Sequence, residues 1–248
     1  MLELRHVSFN VQGEGTEKEI IRDVSMTLPD GKLTVITGPN GGGKSTLARL
    51  IAGIEKPAEG QIIFNGQDIT SWSVTDRARA GIAFAFQQPV RFKGIQVTDL
   101  IRLAAGKDLT GAEACDYLSR VGLCARDYIN REVNASLSGG ELKRIEIASV
   151  LARKAALTVF DEPEAGIDLW SFQNLIQVFE DMRAAIAGSS ILIISHQERI
   201  LNIADEVIVL RDGRVAAQGD RGVILPGLVG TPSAVPECRG SQGGMREC

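Results

Sequence analysis

The chain has 248 residues, 44% of them hydrophobic and 23% charged, with a formal net charge of −4. This is enough chain and apolar content for one large domain, or a core with a subdomain, and the slight acidity without a dense Lys/Arg run argues against nucleic acid as a partner. The longest apolar runs, LTVIT, IAFAF and SSILIIS, fall far short of the roughly 20 residues of a membrane-spanning helix, and MLELRHVSF has no basic stretch followed by an apolar one, so a cytoplasmic protein without direct membrane insertion is expected.

LELRHVSFNV and EIIRDVSMTL read as strands on either side of a polar turn, followed by the strand KLTVITG. A helix is expected from Lys44 to about Ile54, then a short strand in GQIIFNG and another in IAFAFQ. From about Val97 to Arg153 the apolar spacing becomes helical, in VTDLIRLAAG, GAEACDYLSRVG and a helix that opens at Ser138. There the S-x-x-E spacing of Ser138 and Glu141 makes a capping box. Leu142, Ile145, Ala148 and Leu151 recur every three residues, and Lys143, Arg144 and Glu146 are expected on an opposite, polar face. Strand and helix then alternate through LTVFDEP, a helix from about Leu169 to Ala185, SSILIISH and DEVIVLRDGRVAAQG. The alternation implies an α/β fold with a largely parallel sheet covered on both faces, an N-terminal antiparallel β region, and an α-helical subdomain inserted at about residues 90–156. Residues 1–225 are expected to form the domain, and 226–248, rich in Gly and Pro without periodicity, a mobile tail. Cys115, Cys124, Cys238 and Cys248 form no C-x-x-C pair, so structural zinc is not expected. The tail pair could bind metal or oxidise.

GPNGGGKST matches G-x-x-x-x-G-K-[ST] between a strand and a helix. Gly38, Pro39, Asn40, Gly41, Gly42 and Gly43 let successive N–H groups wrap phosphates, Lys44 reaches the outer ones, and Ser45, followed by Thr46, supplies a hydroxyl for Mg²⁺. LTVFDEP delivers Asp161 and Glu162 to the C-terminal edge of the same sheet, where ligands of parallel sheets bind. Asp161 is expected to hold Mg²⁺ through its water shell and Glu162 to polarise an attacking water. ILIISH brings His196 to that edge, where an outer phosphate would be sensed; His6 receives no functional role. The turn Ser138, Gly139, Gly140, Glu141 places glycines at the positive end of a helix, a second anion site.

The phosphate loop, Gln87 in AFAFQQP, LSGGE, FDEP, Asp168 in EAGIDLW and His196 stand in the order and approximate spacing of an ATP-binding cassette ATPase, and the chain resembles that family over about residues 1–220. The resemblance implies a P-loop NTPase core that uses ATP and Mg²⁺. It implies hydrolysis by Glu162, His196, Gln87 and Asp168, with Ser45, Gln87 and Asp161 around the metal. It also implies an ATP-dependent homodimer in which Ser138 to Glu141 of one copy close on the γ-phosphate held by the other. RARAGIAFAFQQPVRFKGIQVTDLIRLAAG, VNASLSGGELKRIEI and ISHQERIL are similar to the soluble ATPase subunit of the SUF iron–sulfur cluster assembly system, which implies soluble scaffold proteins as partners. Transport cassettes place an aromatic after the first strand to stack on adenine. Here Val11 is read at that place, so weaker and less base-selective binding is expected, stacking being worth roughly 1–3 kcal/mol. Two features depart from the SUF pattern: the proline in DEPEAGID, common in transport cassettes, and one lysine fewer in ELKRIEI. The nucleotide-binding subunit of an ABC membrane transporter, with a permease as partner, is the alternative. In either case the docking element is expected in a groove near QPVRFKGIQ.

Overall fold

The computed structural model describes residues 1–12, 17–184 and 188–229. An antiparallel sheet of order β2-β1-β4-β5 is built from β1 (Leu2–Gln12), β2 (Glu17–Leu28), β4 (Glu59–Phe64) and β5 (Gln67–Asp68). A second sheet of order β10-β9-β3-β8-β7-β6 comprises β3 (Leu33–Thr37), β6 (Ile82–Ala85), β7 (Leu157–Asp161), β8 (Ser190–Ile194), β9 (Glu206–Arg211) and β10 (Arg214–Asp220). It is parallel except for the β9–β10 hairpin.

The apolar runs of β3, β7, β8 and β9 are explained by burial on both faces. Alternate residues point to two different cores. Leu33, Val35, Phe160, Ile191, Ile193, Val207 and Val209 join one core. Ile36, Leu157, Val159, Leu192, Ile194, Ile208 and Leu210 join the other. The first core is shared with α3 (Val97–Ala105), α4 (Gly111–Arg120), α6 (Gly139–Arg153), α7 (Leu169–Ala184) and α8 (Glu198–Ile203). The second lies between the parallel sheet, the antiparallel sheet and α1 (Lys44–Ala52). The short helix α5 (Ala125–Tyr128) leads toward α6. Among the described residues no helix is long and apolar enough to cross a membrane.

Two expectations are corrected. Pro226 lies inside α9 (Arg221–Val229), so helix continues past the point where the tail was expected to begin. Ile224, Leu225 and Leu228 of this helix pack on the first core, burial that offsets the donor missing at the proline. Residues 230–248, with Cys238 and Cys248, lie outside the described residues; Cys115 is half-buried and Cys124 exposed. The second correction concerns α6. It packs against α3, α4 and β6 at once, so its expected polar face is not a solvated one: Lys143 is wholly buried and the Glu146 side chain only 12% exposed.

The sequence pattern also left α2 (Val74–Arg79) unread. Ser73 caps it, accepting from the Asp76 N–H, and Arg77 on it is fully buried. One guanidinium nitrogen of Arg77 donates to the carbonyls of Leu50 and Ile51 at 2.6 and 2.9 Å, and the other to Thr70 at 3.0 Å. The side chain thus closes the C-terminal end of α1, whose last carbonyls have no partner within the helix. Burial pulls the Arg77 pKa down to about 10, still leaving it charged at neutral pH. Arg77→Ala would leave these carbonyls unpaired beside a cavity, and a loss on the order of 3 kcal/mol is expected in chemical denaturation. Arg77→Lys should recover only part of it, because an ammonium cannot reproduce the planar fork.

Candidate functional site

The register of the parallel strands assembles the site. Ile194 of β8 is level with Ile36 of β3 and Asp161 of β7, and Ala85 of β6 is level with Phe160. The residues that follow, Gly38, His196, Glu162 and Gln87, therefore emerge at one edge of the sheet. There an open cavity of about 560 Å³ is lined by Asn40, Gly41 and Gly43 to Thr46 of the loop, by Gln87, Glu162 and His196, and by Lys18 and Ile20 of β2.

The loop's glycines meet two different constraints. Gly38 has φ 139°, and a Cβ there would stand 2.0 Å from the Leu210 carbonyl oxygen, so the loop can pass β9 only without a side chain. Gly43, at φ 94°, is the N-cap of α1 and provides no side-chain cap. The first turn of α1 thus keeps its backbone donors and positive dipole end for an anion. Lys44 is buried, and its Nζ donates to the Gly38 and Pro39 carbonyls at 2.9 and 3.0 Å.

Ser45 Oγ donates to Asp161 Oδ1 at 2.9 Å. Burial pushes the Asp161 carboxyl up; the Ser45 hydrogen bond opposes that, and the Glu162 charge adds to it. A hydroxyl and a desolvated carboxylate in contact, with the Gln87 amide on the same cavity, make a hard oxygen donor set that fits Mg²⁺. Glu162 Oε2 accepts from Gln87 Nε2 at 2.5 Å. Its backbone is left-handed, φ 44°, immediately before Pro163, a position from which proline normally drives the chain toward extended conformations. Strain of this kind costs on the order of 1–3 kcal/mol. The Glu162 N–H donates to the Ile194 carbonyl at 3.0 Å, which ties the turn to β8.

The signature turn lies elsewhere. Ser138 Oγ accepts from the Glu141 N–H at 3.3 Å, and Glu141 Oε2 accepts from the Ser138 N–H at 2.6 Å, completing the capping box. The Tyr128 hydroxyl donates to the other Glu141 oxygen. These bonds, that from Tyr128 first, hold the Glu141 pKa at about 2. One Glu141 oxygen is thus committed to the cap and the other to Tyr128. None of Ser138, Gly139, Gly140, Glu141 or Asp168 lines the cavity. Asp168 instead accepts from the N–H and hydroxyl of Ser171, in the first turn of α7. Val11 is 46% exposed and stands opposite Lys18 in the β1–β2 pairing, and Lys18 and Ile20 form that part of the cavity wall. His6 pairs at the surface with Asp23.

Glu164 was not read from the sequence. Its Oε1 accepts from Ser195 Oγ at 2.5 Å, and the same Oγ accepts from the Gln197 N–H, so Glu164 braces both sides of His196. Its Oε2 is buried without a hydrogen-bond partner. Burial pushes the Glu164 carboxyl up against the pull of the Ser195 bond.

The ABC transporter family model matches residues 21–165. The chain belongs to this family of ATP-binding cassettes. It is an ATPase, using ATP with Mg²⁺. The cassette is 39% identical over 211 residues to the uncharacterized ABC transporter ATP-binding protein MJ0035 of Methanocaldococcus jannaschii, covering 82% of this chain and 84% of that one. It is 30% identical to the probable ATP-dependent transporter ycf16 of Cyanophora paradoxa, over 88% of each. The dimeric post-hydrolysis structure of the cassette MJ0796 bound to ADP and Pi shares the fold, with a TM-score of 0.80 at 22% identity over 89% of this chain and 99% of that one.

Glu164 is expected to make the stability of the cassette depend on pH. A carboxyl whose pKa is raised above the ordinary 4.5 binds more protons folded than unfolded, so stability falls as pH rises from that value through the raised one. Glu164→Gln keeps an oxygen for Ser195 and removes the buried charge. It should melt above wild type near pH 8, by about 2–4 °C for each kcal/mol relieved, with the gap closing toward pH 4.5. A gap independent of pH in thermal melts would reject this account.

Proposed function

We propose that the chain is the ATP-hydrolysing subunit of a larger ABC system, a cytoplasmic cassette that runs through α9 and whose helical subdomain, about 90–156, is its moving part. The observation that carries the reading is the split between two halves of one chemistry. Lys44, Ser45, Gln87, Glu162 and His196 line one cavity, Asp161 bonds Ser45 beside it, and the capped N-terminus of α6 stands outside it. A second copy would bring its Ser138, Gly139 and Gly140 to the outer phosphate. The wrapped loop from Gly38 to Thr46 and Lys44 grip the phosphates, and Ser45, Asp161 and Gln87 surround the metal. Glu162 takes the proton of the attacking water and His196 reads the γ-phosphate, while Asp168, held by Ser171 at the start of α7, supports the same hydrolysis from outside the cavity. Bound Mg²⁺ neutralises the outer phosphate charge. The γ-phosphate, bound differently by the open and closed pairs, supplies the difference in affinity that any such motion needs.

The motion is passed to a partner through the apolar groove between sheet and subdomain, lined by Phe84, Phe86, Val90, Phe92, Leu142 and Ile145. A membrane permease is the partner we infer, supported by the names of the relatives, an ABC transporter ATP-binding protein and a probable ATP-dependent transporter. A second reading, soluble SUF-type scaffold proteins, is favoured by the run from Arg77 to Gly106 and by Lys18 and Ile20, not an aromatic, on the cavity wall.

Glu162→Gln keeps the side-chain shape and removes the base, so turnover should fall by about 10²–10⁴ while an ATP-bound dimer accumulates in light scattering. A variant that stays monomeric at saturating Mg-ATP, with its partner present, would overturn the composite site. The partner is identified by purifying the native chain with and without detergent. A polytopic protein retained only in detergent supports the permease. Soluble proteins carrying iron and sulfide transfer the reading to the scaffold. Val90→Asp should release either partner with the intrinsic ATPase preserved.

A further inference from the structure

β6 is the edge strand of the parallel sheet, and its pairing with β7 ends at Ala85. Backbone that leaves a sheet needs new hydrogen-bond partners wherever it is buried. After Ala85 these come from two charged side chains, three residues apart on α6. The Phe86 N–H donates to Glu146 Oε1 at 2.9 Å. The Phe86 carbonyl accepts from Lys143 Nζ, and the Gln87 carbonyl is 3.5 Å from the same ammonium. Lys143 Nζ stands 3.3 Å from Glu146 Oε2, closing an ion pair. Lys143 is wholly buried. Apolar residues of similar volume often serve stability as well as a buried ion pair or better, so packing alone gives no reason for these two charges. The pair engages the backbone on both sides of Phe86, and the next side chain is Gln87, donating to Glu162.

We propose that Lys143 and Glu146 are positioning residues for hydrolysis. They hold the peptide groups on either side of Phe86 so that Gln87 meets Glu162 and the metal in one register. Neither residue touches substrate; both act through Gln87. The inference rests on the roles proposed above for Gln87 and Glu162.

Lys143→Met preserves the volume and removes the charge and its donors, whereas Glu146→Gln keeps an oxygen for the Phe86 N–H and breaks the ion pair. In the folded variants kcat should fall about tenfold to a hundredfold, the size of effect produced by a misplaced reacting group. The Mg²⁺ concentration for half-maximal turnover should rise, and ATP affinity in EDTA should stay at the wild-type value, because the loop and Lys44 are untouched. Amide hydrogen exchange across residues 86–88 should quicken in both variants, most in Lys143→Met. Wild-type kcat and Mg²⁺ dependence in folded Lys143→Met would overturn the proposal, however far its melting point has dropped. Should Lys143→Met not fold, the same result in Glu146→Gln overturns it. Glu162→Gln is assayed in parallel. If it loses turnover while Lys143→Met keeps it, only the positioning role fails; if Glu162→Gln itself keeps turnover, the assignment of the base fails and this inference with it.

Discussion

The structure depends on the register of four parallel strands. β3, β8, β7 and β6 are paired so that their C-terminal ends lie within one residue of level, which places the phosphate loop, His196, Glu162 and Gln87 on one edge. A slip of one residue in β7 would also turn its side chains over. Phe160 would then leave the core it shares with Phe179, a ring contact of 5.0 Å between centroids, and Val159 would leave the other core. Because both faces of the sheet are packed, hydrophobic burial enforces the register. Site geometry is in this sense a by-product of core packing, and mutations deep in β7 or β8 should act on the chemistry through it.

Charged residues are buried at the points where this scheme needs partners that backbone cannot provide. Arg77 closes the end of α1, Lys143 and Glu146 take over where β6 leaves the sheet, and Lys44 rests on the carbonyls of its own loop. A buried charge without partners is expensive, so each of these side chains is tied to a specific backbone geometry. They are the likeness, inside the fold, of the caps that exposed helix ends obtain from water.

Much of this was legible in sequence, and the parts that were not share a cause. The strands of the parallel sheet read as apolar runs because burial on both faces removes polar alternation, and α6 announced its start through Ser138 and Glu141. The phosphate loop and the carboxylates after β7 were visible because spacing along the chain is what creates them. By contrast, Lys143 and Glu146 read as part of a polar face, since helical periodicity reports which residues share a side but not whether a third element covers it. Arg77 and Glu164 were silent because their partners, Leu50 and Ser195, are 27 and 31 residues away. The left-handed turn at Glu162 contradicts the local rule for a residue before proline, so local reasoning could only miss it. Counting from the strand start also does not show which strand of the hairpin lines the cavity: Lys18 and Ile20 of β2 do, while Val11 lies exposed on β1.

The contacts inside the cavity bear on how nucleotide is recognised. Lys44 already donates to two neutral carbonyls, and Ser45 to Asp161. Phosphate binding therefore exchanges hydrogen bonds instead of ordering loose side chains, the Lys44 ammonium passing from neutral carbonyls to an anion. Little conformational entropy is lost in the exchange, since Lys44 is held before the ligand arrives and an immobilised long side chain otherwise costs about 0.5–1.5 kcal/mol. The wall formed by Lys18 and Ile20 can add charge and apolar contact but no stacking face. The charged and hydrogen-bonding groups of the cavity are thus concentrated where the polyphosphate would lie, the part of the ligand that changes during turnover.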